Sequence, residues 1–124
     1  MYLKALSQSA IISAIFFCLH IGLSTLIGSP TTADLVLIHA VLFSLTFGGY
    51  CALLAIDKFD HNKVGFTFLA ISTLKLLVSA SLILIMVRVF EKPNAIAIHY
   101  AGIYFFYVLF LAFQTFRLVN LNQD

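Results

Sequence analysis

Four long apolar runs constrain this chain more than any other feature of it: Leu6 to Gly28, Leu35 to Ile56, Val64 to Val87 and Ala95 to Phe116. A helix crossing ~30 Å of hydrocarbon at ~1.5 Å per residue needs about 20 predominantly apolar residues. Each run meets that length. The segments between them hold breakers and charges: Gly28-Ser29-Pro30 with Asp34, then Asp57 to Lys63, then Glu91-Lys92-Pro93-Asn94. Connections this short make consecutive helices antiparallel neighbours. The expected fold is therefore an all-α membrane protein with four transmembrane helices in an up-down bundle, residues 1–124 forming a single transmembrane domain. Composition closes off a soluble alternative. The chain is 62% hydrophobic and only 10% charged, against about 25% charged in soluble domains, and a soluble domain of this size buries only about two-thirds of its surface. Strictly alternating segments are absent, so an outer-membrane barrel is not expected. The first run exceeds the ~7–15 apolar residues of a cleaved signal and reads as a retained first span.

With four spans, both termini face one side. That side carries Lys4, Lys58, Lys63 and Arg117, and the other carries Arg88 and Lys92, with Lys75 set apart. The positive-inside rule then predicts cytoplasmic termini and a multi-pass protein of the inner (cytoplasmic) membrane. Tyr2, Phe90 and Tyr100 lie where interfacial anchors are expected. Cys18 and Cys51 fall at different depths of different spans, which predicts two free, small packing residues rather than a disulfide or a metal motif.

The sequence contains no GxxxxGK[ST], GxSxG or HExxH motif and no glycine-rich phosphate loop. No enzymatic activity and no cofactor are expected. Without a basic patch there is no nucleic-acid partner to expect either. The remaining partners are membrane lipids and other membrane subunits.

Helical periodicity places the polar residues on particular faces. Ser9, Ser13, His20 and Ser24 share one side of the first span, and His39, Thr46 and Tyr50 one side of the second. In the third, Ser72, Lys75 and Ser79 share a face with Phe68, Leu82 and Met86. In the fourth, Tyr100, Tyr104, Tyr107, Leu111 and Gln114 alternate steps of four and three, a seam of the kind that faces other helices. Each helix thus has a side suited to protein rather than lipid, and interhelical hydrogen bonds are the expected use of its Ser, Thr and Gln residues.

Lys75 demands more. It lies eleven residues beyond Val64, ~16 Å along the helix and close to the midplane, where a lysine costs roughly 2.5–3.5 kcal/mol on insertion scales. All five acids, Asp34, Asp57, Asp60, Glu91 and Asp124, lie in loops or at the end of the chain, so no carboxylate of this chain is expected at that depth. Three arrangements remain open. The amine is neutral and bonded to Tyr hydroxyls or Gln114, or charged beside internal water, or charged against a carboxylate from another membrane protein. His20, His39 and His99 fall in the same half of the bundle on three different helices. They are the candidates for a metal or haem. No pair has an i, i+3 or i, i+4 spacing, and no carboxylate is placed to orient them, so ordinary hydrogen-bonded histidines and no metal are expected.

The second half of the chain, FTFLAISTLKLLVSASLILIMV followed after a Pro-containing loop by AIHYAGIYFFYVLFLAFQTFRLVNLNQD, resembles the ATP synthase protein I family, small four-helix membrane proteins, and especially its short divergent branch. In that family an acidic residue commonly stands one turn before the lysine, and here the position is Ser72. The resemblance implies a non-enzymatic accessory role in assembling the c-ring of a rotary ATP synthase, or in its ion supply. The inward faces make Lys75, Ser72, Ser79, Tyr104, Tyr107 and Gln114 the candidates for partner binding or intramembrane polar contacts, and the resemblance implies c subunits, each carrying a midplane carboxylate, as the partner. A small transporter or channel subunit, and a structural subunit of another membrane complex, are the alternative expectations.

Overall fold

The structure is a computed structural model that describes residues 2–27 and 32–120. The Gly28-Ser29-Pro30 segment, the side chain of Tyr2 and the residues ending at Asp124 lie outside the described residues. Among those described, the chain forms α1 (Tyr2–Ile27), α2 (Thr32–Phe59), α3 (Val64–Val89) and α4 (Pro93–Asn120), with a single 3₁₀ turn at His61–Lys63. All four α-helices are long and apolar enough to cross a membrane. Their backbone groups are satisfied within each helix, which hydrocarbon requires.

Each helix outlasts the apolar run that predicted it. Asp57, Lys58 and Phe59, expected in the connection, continue α2, where Asp57 Oδ1 lies 2.6 Å from Nδ1 of His61 one turn on. The break after Phe59 is made by Asp60, whose side chain accepts from the backbone N–H of Asn62 at 3.2 Å. Helix α3 closes with the Phe90 N–H donating to the Met86 carbonyl at 3.0 Å. Helix α4 opens on Pro93, whose missing N–H costs nothing at a first helical position.

Helix α4 packs closely along both α2 and α3, and α2 along α3, so these three form the tight part of the bundle. One apolar cluster (Ile38, Leu42, Met86, Ile96, Tyr100, Ile103, Tyr107) fills the end opposite the chain termini. The other (Tyr50, Leu53, Leu54, Val64, Leu111, Leu118) fills the end where they lie. Close approach of α2 and α3 depends on Gly49, where a Cβ would stand 2.7 Å from the Cγ2 of Ile71.

Helix α1 is attached differently. Its buried residues are Ser9, Ser13 and Ser24; it packs along α2 and meets α4 through individual side chains. Phe16 bridges the gap by stacking on Phe106 of α4, ring centroids 3.6 Å apart. At the opposite end Arg117 Nη1 donates to Gln8 Oε1 at 3.3 Å. A crevice of about 300 Å³ opens between α1 and α2, lined by Ala10, Ala14, Phe17, Val36 and Phe43 with Ser13, His39 and Tyr107.

Candidate functional site

The polar faces read from the sequence turn inward as expected. Ser9, Ser13, Ser24, His39, Thr46, Tyr50, Lys75, Ser79, Tyr100, Tyr107 and Gln114 are buried, while Ser72 and Tyr104 are half-buried. What the small hydroxyls do there differs from expectation. Ser9, Thr46 and Thr115 donate to the carbonyls of Ala5, Leu42 and Leu111, four residues back on their own helices. Lipid-facing Ser44, Thr73 and Ser81 do the same with Ala40, Leu69 and Leu77. A hydroxyl in hydrocarbon finds its nearest acceptor one turn back, whether or not another helix is beside it. Periodicity located these residues correctly but said little about their bonding.

Lys75 stands near the middle of α3, 3% exposed, between the two apolar clusters. Its Nζ donates to Thr46 Oγ1 of α2 at 2.6 Å. It also lies 5.6 Å from the ring centre of Tyr104 and 5.9 Å from that of Tyr107, both on α4. A cation within about 6 Å of an aromatic face gains roughly 2 kcal/mol or more once desolvated. The lysine thus draws α2, α3 and α4 together at one depth, using an acceptor and two rings instead of the tyrosine hydroxyls or Gln114. Thr46 serves both neighbours at once, accepting from Lys75 while donating to Leu42. Sequence reasoning had Thr46 on the correct face of α2 but did not pair it with Lys75. The signal was available: in antiparallel α2 and α3, residues at matched distances from the turn share a depth. Nearby, the buried hydroxyls of Ser79 and Tyr100 lie beside one another without completing a hydrogen bond.

The second polar group is the larger surprise. His20 of α1, His39 of α2 and His99 of α4 meet side by side. Nδ1 of His20 lies 2.9 Å from Nε2 of His39, and Nε2 of His20 lies 3.1 Å from Nδ1 of His99. The ring of Phe16 stacks on His20 with centroids 6.0 Å apart, and Phe17 and Tyr107 present edges to His39 at 5.1 and 6.2 Å. Spacing within a helix was the wrong test for these residues, because each is contributed by a different helix. Their common depth was the informative feature. They do not converge on one ion: His20 spends both nitrogens on separate neighbours, and among the described residues no group of three such side chains is placed to hold a metal.

The molecule is therefore a membrane-type four-helix bundle with two polar centres, a lysine buried at mid-depth and a partly buried row of imidazoles toward one end. No family model, no curated protein and no solved structure matches the chain.

Proposed function

We propose that this protein is a non-enzymatic inner-membrane accessory protein that works by packing against other membrane subunits, c subunits of a rotary ATP synthase being the first partner to test. The observation supporting this reading is the loose attachment of α1. Helices in a bilayer associate through close packing of small residues rather than by expulsion of water. On α1, the serines that face the bundle leave Cys18 and Gly22 exposed on another side, and nothing lies within 4 Å of a Cβ placed on Gly22. The resemblance of α3 and α4 to ATP synthase protein I supplies the partner. Lys75 is better read here as an internal tie than as the docking group, since its amine is enclosed by its own bundle.

Cys18 provides the test. With Cys51→Ser leaving it the lone thiol, a short lipid-soluble bifunctional reagent should join Cys18 to a c subunit in native membranes. Recovery of uncrosslinked protein alone, or of adducts with unrelated chains only, would remove the synthase from the reading.

A second reading, a small transporter or channel subunit, is favoured by the succession of buried polar groups from His39 through Tyr107, Lys75 and Thr46 to Gln114. It predicts ion or proton leakage in proteoliposomes of the purified protein. Tight vesicles would exclude it.

A further inference from the structure

The number of protons on the row of imidazoles decides which of its contacts can form. Three neutral histidines carry three N–H protons on six ring nitrogens. Each of the two N···N contacts at His20 needs one proton between its two nitrogens. In the neutral row two protons occupy the contacts and the third sits on an outer nitrogen, Nδ1 of His39 or Nε2 of His99. A fourth proton fits on any of the three rings without breaking a contact, and only on His20 does the charged ring donate both ways, to Nε2 of His39 and Nδ1 of His99. A fifth leaves one bare nitrogen for two contacts, so one contact must set N–H against N–H and break.

We propose that His39, His20 and His99 together form a partly buried binding site for a single excess proton, held on His20 and shared with both neighbours across three helices. The surroundings fit a shared cation on the middle ring. Both of its bonds become charge-assisted, roughly twice as strong as neutral ones, and the ring of Phe16 lies parallel to it and offset, centroids 6.0 Å apart. His20 and His99 are both half-buried, and the free nitrogen of the row on that side is Nε2 of His99, which is the entry, whereas the outer nitrogen of His39 is enclosed and has no hydrogen-bond partner. The row is therefore open at one end and takes a proton up rather than conducting it through. The ionisable group in contact with it is Tyr107, edge-on to His39; those at the same end of the bundle are Tyr100 on α4, Asp34 in the first turn of α2, Arg88 in the last turn of α3, and Glu91 and Lys92 in the connection before α4. Because His20 is the polar tie between α1 and both α2 and α4 at this end, α1 stays docked with one proton bound. A second proton releases it from one neighbour.

The proposal stands apart from the docking role and is tested on the isolated protein in lipid nanodiscs. With ¹⁵N-labelled histidine, couplings across both N–H···N contacts should be present in the neutral form and persist through the first protonation, during which His20 becomes the ring with two N–H groups. The second protonation should abolish one coupling. Loss of a coupling at the first step, or a first proton settling on His39 or His99, would overturn the proposal. A second measurement is proton uptake on acidification from about pH 8, through the range in which unperturbed histidines titrate and below it. His20→Gln keeps a donor and an acceptor for the two neighbours but cannot bind the proton, and should take up about one proton fewer in the first step. If that variant does not fold, His99→Gln removes one of the two sharing partners and should weaken the first proton's binding about tenfold. Uptake equal to wild type in the folded variant overturns the shared site.

Discussion

At the scale of single residues, Lys75 shows how a bilayer interior accommodates an amine. One hydroxyl accepts from it, two rings flank it, and Thr46 keeps its own bond to Leu42 whether or not the lysine is present. Removing the amine therefore orphans nothing. Lys75→Met, which keeps most of the volume and ends the burial cost, should leave the bundle as stable as wild type or more so, by up to about 1–4 kcal/mol. Thr46→Val should instead cost about 1–3 kcal/mol, because the amine then loses its acceptor while still buried. In a Lys75→Met background the same Thr46→Val change should cost much less. A double-mutant cycle of unfolding free energies in detergent reads the difference, and additive losses would mean that the bond at 2.6 Å contributes nothing.

At the scale of elements, the joint between α2 and α3 depends on one glycine of an adjacent pair. At Gly48 an added Cβ meets nothing within 4 Å, whereas at Gly49 it meets a methyl of Ile71 held close to the backbone by β-branching. Gly49→Ala should destabilise the bundle by about 1–3 kcal/mol by prising α2 from α3, and Gly48→Ala should be neutral or slightly stabilising. Thermal unfolding of the two variants side by side tests the approach of the helices, and equal losses would deny it. Helix α4 offers a second check. Tyr107 and Gln114 are 1% and 4% exposed, against 62% and 55% for Phe105 and Leu109. In a background without Cys18 and Cys51, cysteines at the first pair should resist a lipid-soluble thiol reagent and cysteines at the second should react. Equal labelling would mean that the seam does not face protein.

At the scale of the whole molecule, three helices make a tight unit and the fourth leans on it. Helix α1 contributes small serines and a bridging aromatic where the others contribute interlocking Leu, Ile and Tyr, and the crevice beside it is the result. The bundle brings Gln8 and Arg117 to one end and the histidine row toward the other. We expect the Arg117 end to face the cytoplasm, on the excess of basic residues there. A reporter fused after Asp124 should then be active only in its cytoplasmic form, and one inserted near Ser29 only in its exported form. The reverse pattern would put the entry of the proton site at His99 on the cytoplasmic side.

The sequence by itself determined the four helices and the inward faces, since both follow from local facts: run length against bilayer thickness, and a 3.6-residue period that puts Ser13, Thr46, Lys75 and Tyr107 each on one side of its own helix. It also placed Lys75 near mid-depth and the acids in loops or at the chain end, so that no ion pair was expected at that depth; Asp34 and Asp57 instead lie inside α2, near its two ends. What it could not determine was which residues of different helices touch. That Thr46 rather than a tyrosine hydroxyl receives Lys75, and that three histidines up to 79 positions apart lie within hydrogen-bonding reach, depends on the rotation and separation of packed helices. Those are set by the summed shapes of many side chains, by Gly49 against Ile71 and Phe16 against Phe106, and no single segment of the chain carries that information.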